Sequence, residues 1–119
     1  MAPGRRILIV EDEAMVSMLL EDMIADLGFE LVGPASRIEK ALELAQEADF
    51  DAAILDVNLN GFYTFAIADA IRLRGLPFIF ATGYGAGGLP QKYADALILE
   101  KPFSQDGLHH LLNQALRLG

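Results

Sequence analysis

Four short, unbroken apolar stretches, set apart by helical periods, constrain this chain more than any other feature. They are Arg6-Ile7-Leu8-Ile9-Val10, Ala52-Ala53-Ile54-Leu55, Phe78-Ile79-Phe80-Ala81 and Ala96-Leu97-Ile98-Leu99. A strand with one wet face alternates apolar and polar residues. A strand with no polar position must be covered on both faces, as in a parallel sheet. Leu31-Val32 is shorter and weaker and reads as an edge strand. Between these runs lie apolar residues at helical spacing. Met15, Val16, Leu19, Leu20, Met23, Ile24 and Leu27 predict a first helix, stopped at Gly28. Ile38, Ala41, Leu42 and Ala45 predict a second, with Ser36 as its cap. Ala66, Ile67, Ala70 and Ile71 predict a third, ending near Gly75 ahead of Pro77. Leu89 to Asp95 has room for about two helical turns, with Pro90 in the first. Leu108, Leu111, Leu112, Ala115 and Leu116 predict the last helix, with Ser104 as a candidate cap. The strand-helix unit repeats through the chain, which is the pattern of an α/β protein. The expected fold is (βα)5, a doubly wound parallel five-stranded sheet with right-handed crossovers.

With 119 residues, the chain has the length of one domain, and 1–119 is read as a single unit. A net charge of −8 works against nucleic acid, whose nonspecific binding depends on Lys and Arg neutralising phosphates. It suits a chain that holds a cation or meets a basic partner surface, and equally one whose charge simply keeps it in solution. The apolar run after Arg5-Arg6 stops at Glu11-Asp12-Glu13, too short for a signal-peptide core, and no run is long enough to span a membrane. A cytoplasmic location is the resulting expectation. With no cysteine, disulfides, thiolate metal sites and a Cys nucleophile are excluded.

In an open α/β sheet, ligands bind beyond the carboxyl ends of the strands. The first strand is followed by Glu11, Asp12 and Glu13, the third by Asp56, the fourth by Thr82, and the fifth by Glu100 and Lys101. These loops bring carboxylates, a hydroxyl and an ammonium to one edge. Clustered carboxylates repel one another unless a cation sits among them, and oxygen ligands suit Mg²⁺. A metal beside Asp56 would neutralise an incoming phosphoryl group, Lys101 would pair with a second phosphoryl oxygen, and Thr82 would hydrogen-bond a third. Phosphoryl transfer asks for little more than such positioning and charge stabilisation.

Val10-Glu11-Asp12, Leu55-Asp56, Ala81-Thr82 and Lys101-Pro102-Phe103, each directly after its strand, together resemble the response-regulator receiver domain over essentially the whole chain. The resemblance implies a CheY-like, flavodoxin-like sheet of strand order 2-1-3-4-5. It implies Asp56 as phosphoacceptor, Asp12 as a direct Mg²⁺ ligand, Glu11 as a ligand through water, and the backbone carbonyl of Asn58 as a further ligand. Thr82 would turn toward the phosphoryl group, Lys101 would be its cationic partner, and Lys101-Pro102 would be a cis peptide. The phosphoryl donor would be a phosphohistidine on a sensor histidine kinase. The run from Pro77 to Tyr84 is similar to the PFxFATGY signature of a receiver subgroup often found as single domains beside HWE-type histidine kinases. Two positions depart from the common pattern. Ile98 stands where most receivers carry a switch aromatic, and Asn60 stands where many carry proline. The switch is therefore expected in the glycine cluster from Gly83 to Gly88, whose glycines widen the accessible backbone, with Tyr84 moving alongside Thr82.

The implied role is two-component signalling through protein contacts, as a monomer or weak homodimer, not as an enzyme acting on other molecules. Output to a downstream protein would pass through the face of the fourth and fifth helices and the fifth strand. One alternative is a phosphatase of the haloacid dehalogenase type, which also uses a strand-end Asp, a Thr and a Lys. That class wants a second Asp where Asn58 stands, and places its acidic pair last in the chain, not first. A binding module that is never phosphorylated is a third reading. Gly83-x-Gly85-x-x-Gly88 also fits a dinucleotide fingerprint. The helix after it is too short to cradle a pyrophosphate, and the fingerprint would leave the acidic cluster and Lys101 without a role. Glu13 reads as favourable negative charge at a helix N-terminus. His109-His110 has no partner at metal spacing and reads as a solvated helix face.

Overall fold

The computed structural model describes residues 5–83 and 89–118. The apolar runs form strands β1 (Arg6–Val10), β2 (Glu30–Ala35), β3 (Ala52–Asp56), β6 (Phe78–Thr82) and β7 (Leu97–Glu100). All pairings among them are parallel, in the order β2-β1-β3-β6-β7, which is the expected 2-1-3-4-5 once an inserted hairpin is set aside. Alternate residues of each strand enter different cores. Ile7, Ile9, Ile54 and Ile79 meet helices α1 (Ala14–Asp26) and α4 (Gln105–Leu118) through Leu20, Ile24, Leu108 and Leu112. Leu8, Val10, Leu55 and Phe80 meet α2 (Ile38–Glu47) and α3 (Phe65–Leu73) through Ala41, Ala45, Ile67 and Ile71. Each such buried Leu or Ile contributes about 1.5–3 kcal/mol, so the central strand β3, buried along its whole length, anchors the sheet.

Several helix ends follow their expected residues. The chain leaves α1 through Gly28 at φ +87° and α3 through Gly75 at φ +73°, the left-handed region where glycine carries no Cβ penalty. At α4, the Ser104 hydroxyl accepts the N–H of Gly107 at 3.0 Å. Ser36 does not cap α2. The residue at that position is Arg37, which makes no side-chain cap bond, and the Ser36 carbonyl instead accepts from the Asn60 side chain at 2.7 Å. Met15 and Leu19 do not face the core. They are exposed, because a single stripe through Leu20 and Ile24 suffices to cover the sheet edge.

Two elements differ from expectation. In place of two turns of α-helix before β7 there is one 3₁₀ turn, Gln91–Tyr93. Its tighter i→i+3 bonding delivers Tyr93, fully buried, into a cluster with Phe65, Phe78 and Phe80. The sheet therefore carries four α-helices and this turn among the described residues. The second difference is a hairpin, β4 (Asn58–Leu59) with β5 (Phe62–Tyr63), turning at Asn60-Gly61. Both turn residues have positive φ, 53° and 87°, the pattern of a tight two-residue turn and one that proline cannot adopt. That accounts for Asn60 at a position where proline is common in the resembling family.

Candidate functional site

The carboxyl ends of β1, β3, β6 and β7 deliver the chemistry-bearing residues to one place. Glu11 and Asp12 follow β1, Asp56 ends β3, Thr82 ends β6 and Lys101 follows β7. Parallel register makes this possible: Asp56 lies level with Ala81, and Thr82 with Glu100. The Lys101 N–H donates to the Thr82 carbonyl at 2.9 Å, which ties the last two strand ends together. Lys101-Pro102 is a cis peptide.

The Lys101 ammonium bridges the cluster. Its Nζ lies 3.3 Å from Glu11 Oε1 and 3.3 Å from Asp56 Oδ2. Ligand oxygens of Glu11, Asp12 and Asp56 all lie within 4.8 Å of one another. Around them is a cavity of about 710 Å³ lined by Asp12, Asp56, Asn58, Thr82 and Lys101 among others. Glu11 reaches the cluster from the protein side, 2% exposed, and its Oε2 accepts the Glu13 N–H at 3.1 Å. Burial, reinforced by the neighbouring Asp56 charge, pushes its pKa up to about 7 against the pull of the Glu13 N–H and Lys101. Burial also works against the Lys101 ammonium, but Asp56 and Glu11 outweigh it and hold its pKa above the ordinary lysine value. Asp12 and Asp56, with Glu11 once it ionises, outnumber the one ammonium that bridges Glu11 and Asp56, so the donor set fits a hard divalent cation with open positions, as Mg²⁺ requires.

Two backbone groups shape the cluster. Asp12 is oriented by the hairpin: the Asn60 N–H donates to its Oδ2 at 3.0 Å. The Asn58 N–H faces Asp56 Oδ1 at 3.5 Å, while the Asn58 side chain accepts the Gly61 N–H at 3.0 Å inside the turn. Asn58 therefore meets the cluster through its main-chain N–H, while its side chain is engaged in the turn. Thr82 is buried at the cavity wall. Tyr84 lies outside the described residues, as does most of the glycine cluster. Glu13 stands at the N-cap of α1, and His109 and His110 are exposed on α4.

Residues outside the expected set also contribute. Asn60 could have been found, since Asn-Gly is a strong hairpin signal, but the flanking strands are too short to reveal it. Thr64 and Tyr93 carry no sequence signal of their own. The fully buried Thr64 hydroxyl donates to the Asp56 carbonyl at 2.6 Å. The Tyr93 hydroxyl has one proton to donate and faces two acceptors, the Phe65 carbonyl at 3.0 Å and Asp69, which also pairs with Lys92 at 2.9 Å. These bonds hold Asp69 below the usual carboxylate range, while burial and the Asp69 contact raise the Tyr93 phenol.

Residues 7–113 match the family described as the response regulator receiver domain. The chain is 35% identical over 107 residues to the transcriptional regulatory protein PdtaR of Mycobacterium tuberculosis, a match covering 87% of this chain and 52% of PdtaR. It is 31% identical over 114 residues to the phyllosphere-induced regulator PhyR of Methylorubrum extorquens, covering 92% of this chain and 43% of PhyR. The chain thus spans about half the length of these curated relatives. The solution structure of SdrG from Sphingomonas melonis Fr1 superposes with a TM-score of 0.86 at 38% identity, covering 98% of this chain and 99% of SdrG. The BeF3-activated conformation of SdrG superposes with a TM-score of 0.81. The phosphatase and unphosphorylated-module readings find no support in these matches.

Proposed function

Because this chain belongs to the response regulator receiver family, and so to two-component signalling, we propose that Asp56 is the residue that accepts the phosphoryl group. The observation that carries this reading is the double bridge of Lys101 to Asp56 and Glu11, at 3.3 Å each, beside Asp12 at the mouth of the cavity. An Asp56 carboxylate oxygen attacks the phosphorus of a phosphohistidine. The new P–O bond forms as the P–N bond breaks, and the electron pair returns to the imidazole nitrogen. Lys101 then exchanges part of its contact with Asp56 for a phosphoryl oxygen, and Thr82 offers its hydroxyl from the end of β6. Glu11, Asp12, Asp56 and the Asn58 carbonyl would hold Mg²⁺, which supplies charge neutralisation for the transferring group.

The donor would be a sensor histidine kinase of the HWE type, a reading supported by the Pro77 to Tyr84 signature, and the setting would be the cytoplasm. Among the described residues no helix is long and apolar enough to cross a membrane. Residues 1–119 would act as one receiver unit, as a monomer or weak homodimer. It would signal to a downstream protein through the face of β7, α4 and the segment before β7, with Tyr84 moving as part of the switch. The test is incubation with acetyl phosphate and Mg²⁺, followed by intact mass and site mapping. One phosphoryl group on Asp56, lost in Asp56→Asn, is expected. Label retained at wild-type level in Asp56→Asn overturns the assignment.

A further inference from the structure

We propose that Thr64 is a positioning residue for phosphoryl transfer: its hydroxyl holds the main chain of Asp56 to Asn58 in the geometry that aims Asp56 at the metal and phosphoryl site. This rests on the assignment of Asp56 as phosphoacceptor.

Thr64 occupies the N-cap position of α3, where a threonine hydroxyl ordinarily accepts a free N–H of the first helical turn. Here it makes no such cap bond. The hydroxyl is turned back to the end of β3, donating to the Asp56 carbonyl at 2.6 Å and lying 3.3 Å from the Val57 carbonyl. The Thr64 N–H donates to the same Val57 carbonyl at 3.0 Å. Pairing of β3 with β1 stops at Leu55 and Val10, one residue short of Asp56. The strand ladder on that side therefore ends where positional accuracy matters most, and Thr64 takes over. On the other side the Val57 N–H donates to the Ala81 carbonyl at 3.1 Å. The two peptide units between Asp56 and Asn58 are thus held from both flanks.

The anchor itself is rigid. Thr64 is fully buried, and its own carbonyl accepts the N–H groups of Ile67 and Ala68 at 3.1 and 3.0 Å, so it moves only with α3. The chain between the phosphoacceptor and this anchor runs out through the hairpin that orients Asp12. One buried hydroxyl therefore closes a loop that carries three of the candidate metal donors' supports: the Asp56 main chain, the Asn58 main chain and the Asn60 N–H. A buried carbonyl that loses its donor turns to find another, and a turn of this peptide unit carries with it the Asp56 side chain that Lys101 now holds at 3.3 Å.

Three variants separate this role from simple packing. Thr64→Val keeps the shape and removes the donor; Thr64→Ser keeps the donor and removes the methyl group; Thr64→Ala removes both and substitutes for the valine variant if that does not fold. Two quantities are measured well below the unfolding temperature: the dissociation constant for Mg²⁺ alone, followed by amide chemical shifts, and the rate of labelling by acetyl phosphate at saturating Mg²⁺. The expected result is a loss of about tenfold in both for Thr64→Val or Thr64→Ala, with Thr64→Ser close to wild type. Wild-type Mg²⁺ affinity and labelling rate in the variants lacking the hydroxyl overturn the inference, as does a serine variant as defective as valine. Label on a residue other than Asp56 in the wild-type protein would instead refute the phosphoacceptor assignment, and the Mg²⁺ titration would still report on Thr64.

Discussion

Replacing Glu11 by glutamine should remove a pH-dependent weakness of the metal-free protein. Glu11 is buried beside Asp56 with its pKa pushed up to about 7 from the ordinary value of 4.5. Between those two values the folded chain holds a proton that the unfolded chain has released. Stability therefore falls as pH rises through this window, since the slope follows the difference in protons bound by the unfolded and folded states. Between pH 5 and pH 8 this difference amounts to a loss of about 2–3 kcal/mol attributable to Glu11. Other groups titrate over the same range, so the informative quantity is the difference between wild type and Glu11→Gln. Urea unfolding in EDTA, followed by far-ultraviolet circular dichroism at pH 5, 6, 7 and 8, supplies it. The variant should gain on the wild type by about 2–3 kcal/mol between the two extremes, or roughly 10 °C in melting temperature. Parallel stability curves across this pH range would show that Glu11 is already ionised at pH 5 and that its burial does not govern its charge.

Mg²⁺ at a hundredfold excess over its dissociation constant should stabilise the wild type by about 2.7 kcal/mol and Asp12→Ala much less, so equal thermal shifts in the two would place the ion elsewhere. Asn60→Pro, which installs the residue common in the family, should cost at least about 2 kcal/mol, because φ +53° is closed to proline and the N–H on Asp12 disappears; a neutral outcome in urea unfolding would contradict the hairpin geometry. Tyr93→Phe keeps the buried ring but leaves the Phe65 carbonyl without its hydroxyl donor, and a loss of about 1–2 kcal/mol is expected by the same assay. Beryllofluoride should shift amide resonances from Thr82 through the turn at Gln91–Tyr93, and shifts confined to Asp12 and Asp56 would show that the signal leaves by another route.

Periodicity alone determined most of the architecture. Unbroken runs such as Ala52–Leu55, regularly interleaved with helical stripes such as Ile38-Ala41-Leu42-Ala45, fit strands covered on both faces by the helices between them. The residues at the strand ends were legible for the same reason: once the strands are known, Asp12, Asp56, Thr82 and Lys101 fall at their carboxyl edge, where this kind of sheet binds ligands. What remained hidden depends on contacts between residues distant in the chain. Glu11 and Asp12 are adjacent acidic residues, and only packing buries one against Lys101 while turning the other to the hairpin N–H at Asn60. Thr64 carries no local signal, and only the end of the β1–β3 pairing at Leu55 gives its hydroxyl a strand carbonyl to hold. Tyr93 reads as part of a short helix, yet burying its ring among Phe65, Phe78 and Phe80 selects a single 3₁₀ turn instead. Local pattern sets which residues can form strands and helices. Which buried polar group meets which partner is decided when those elements pack, because an unpaired group there costs more than any local preference can return.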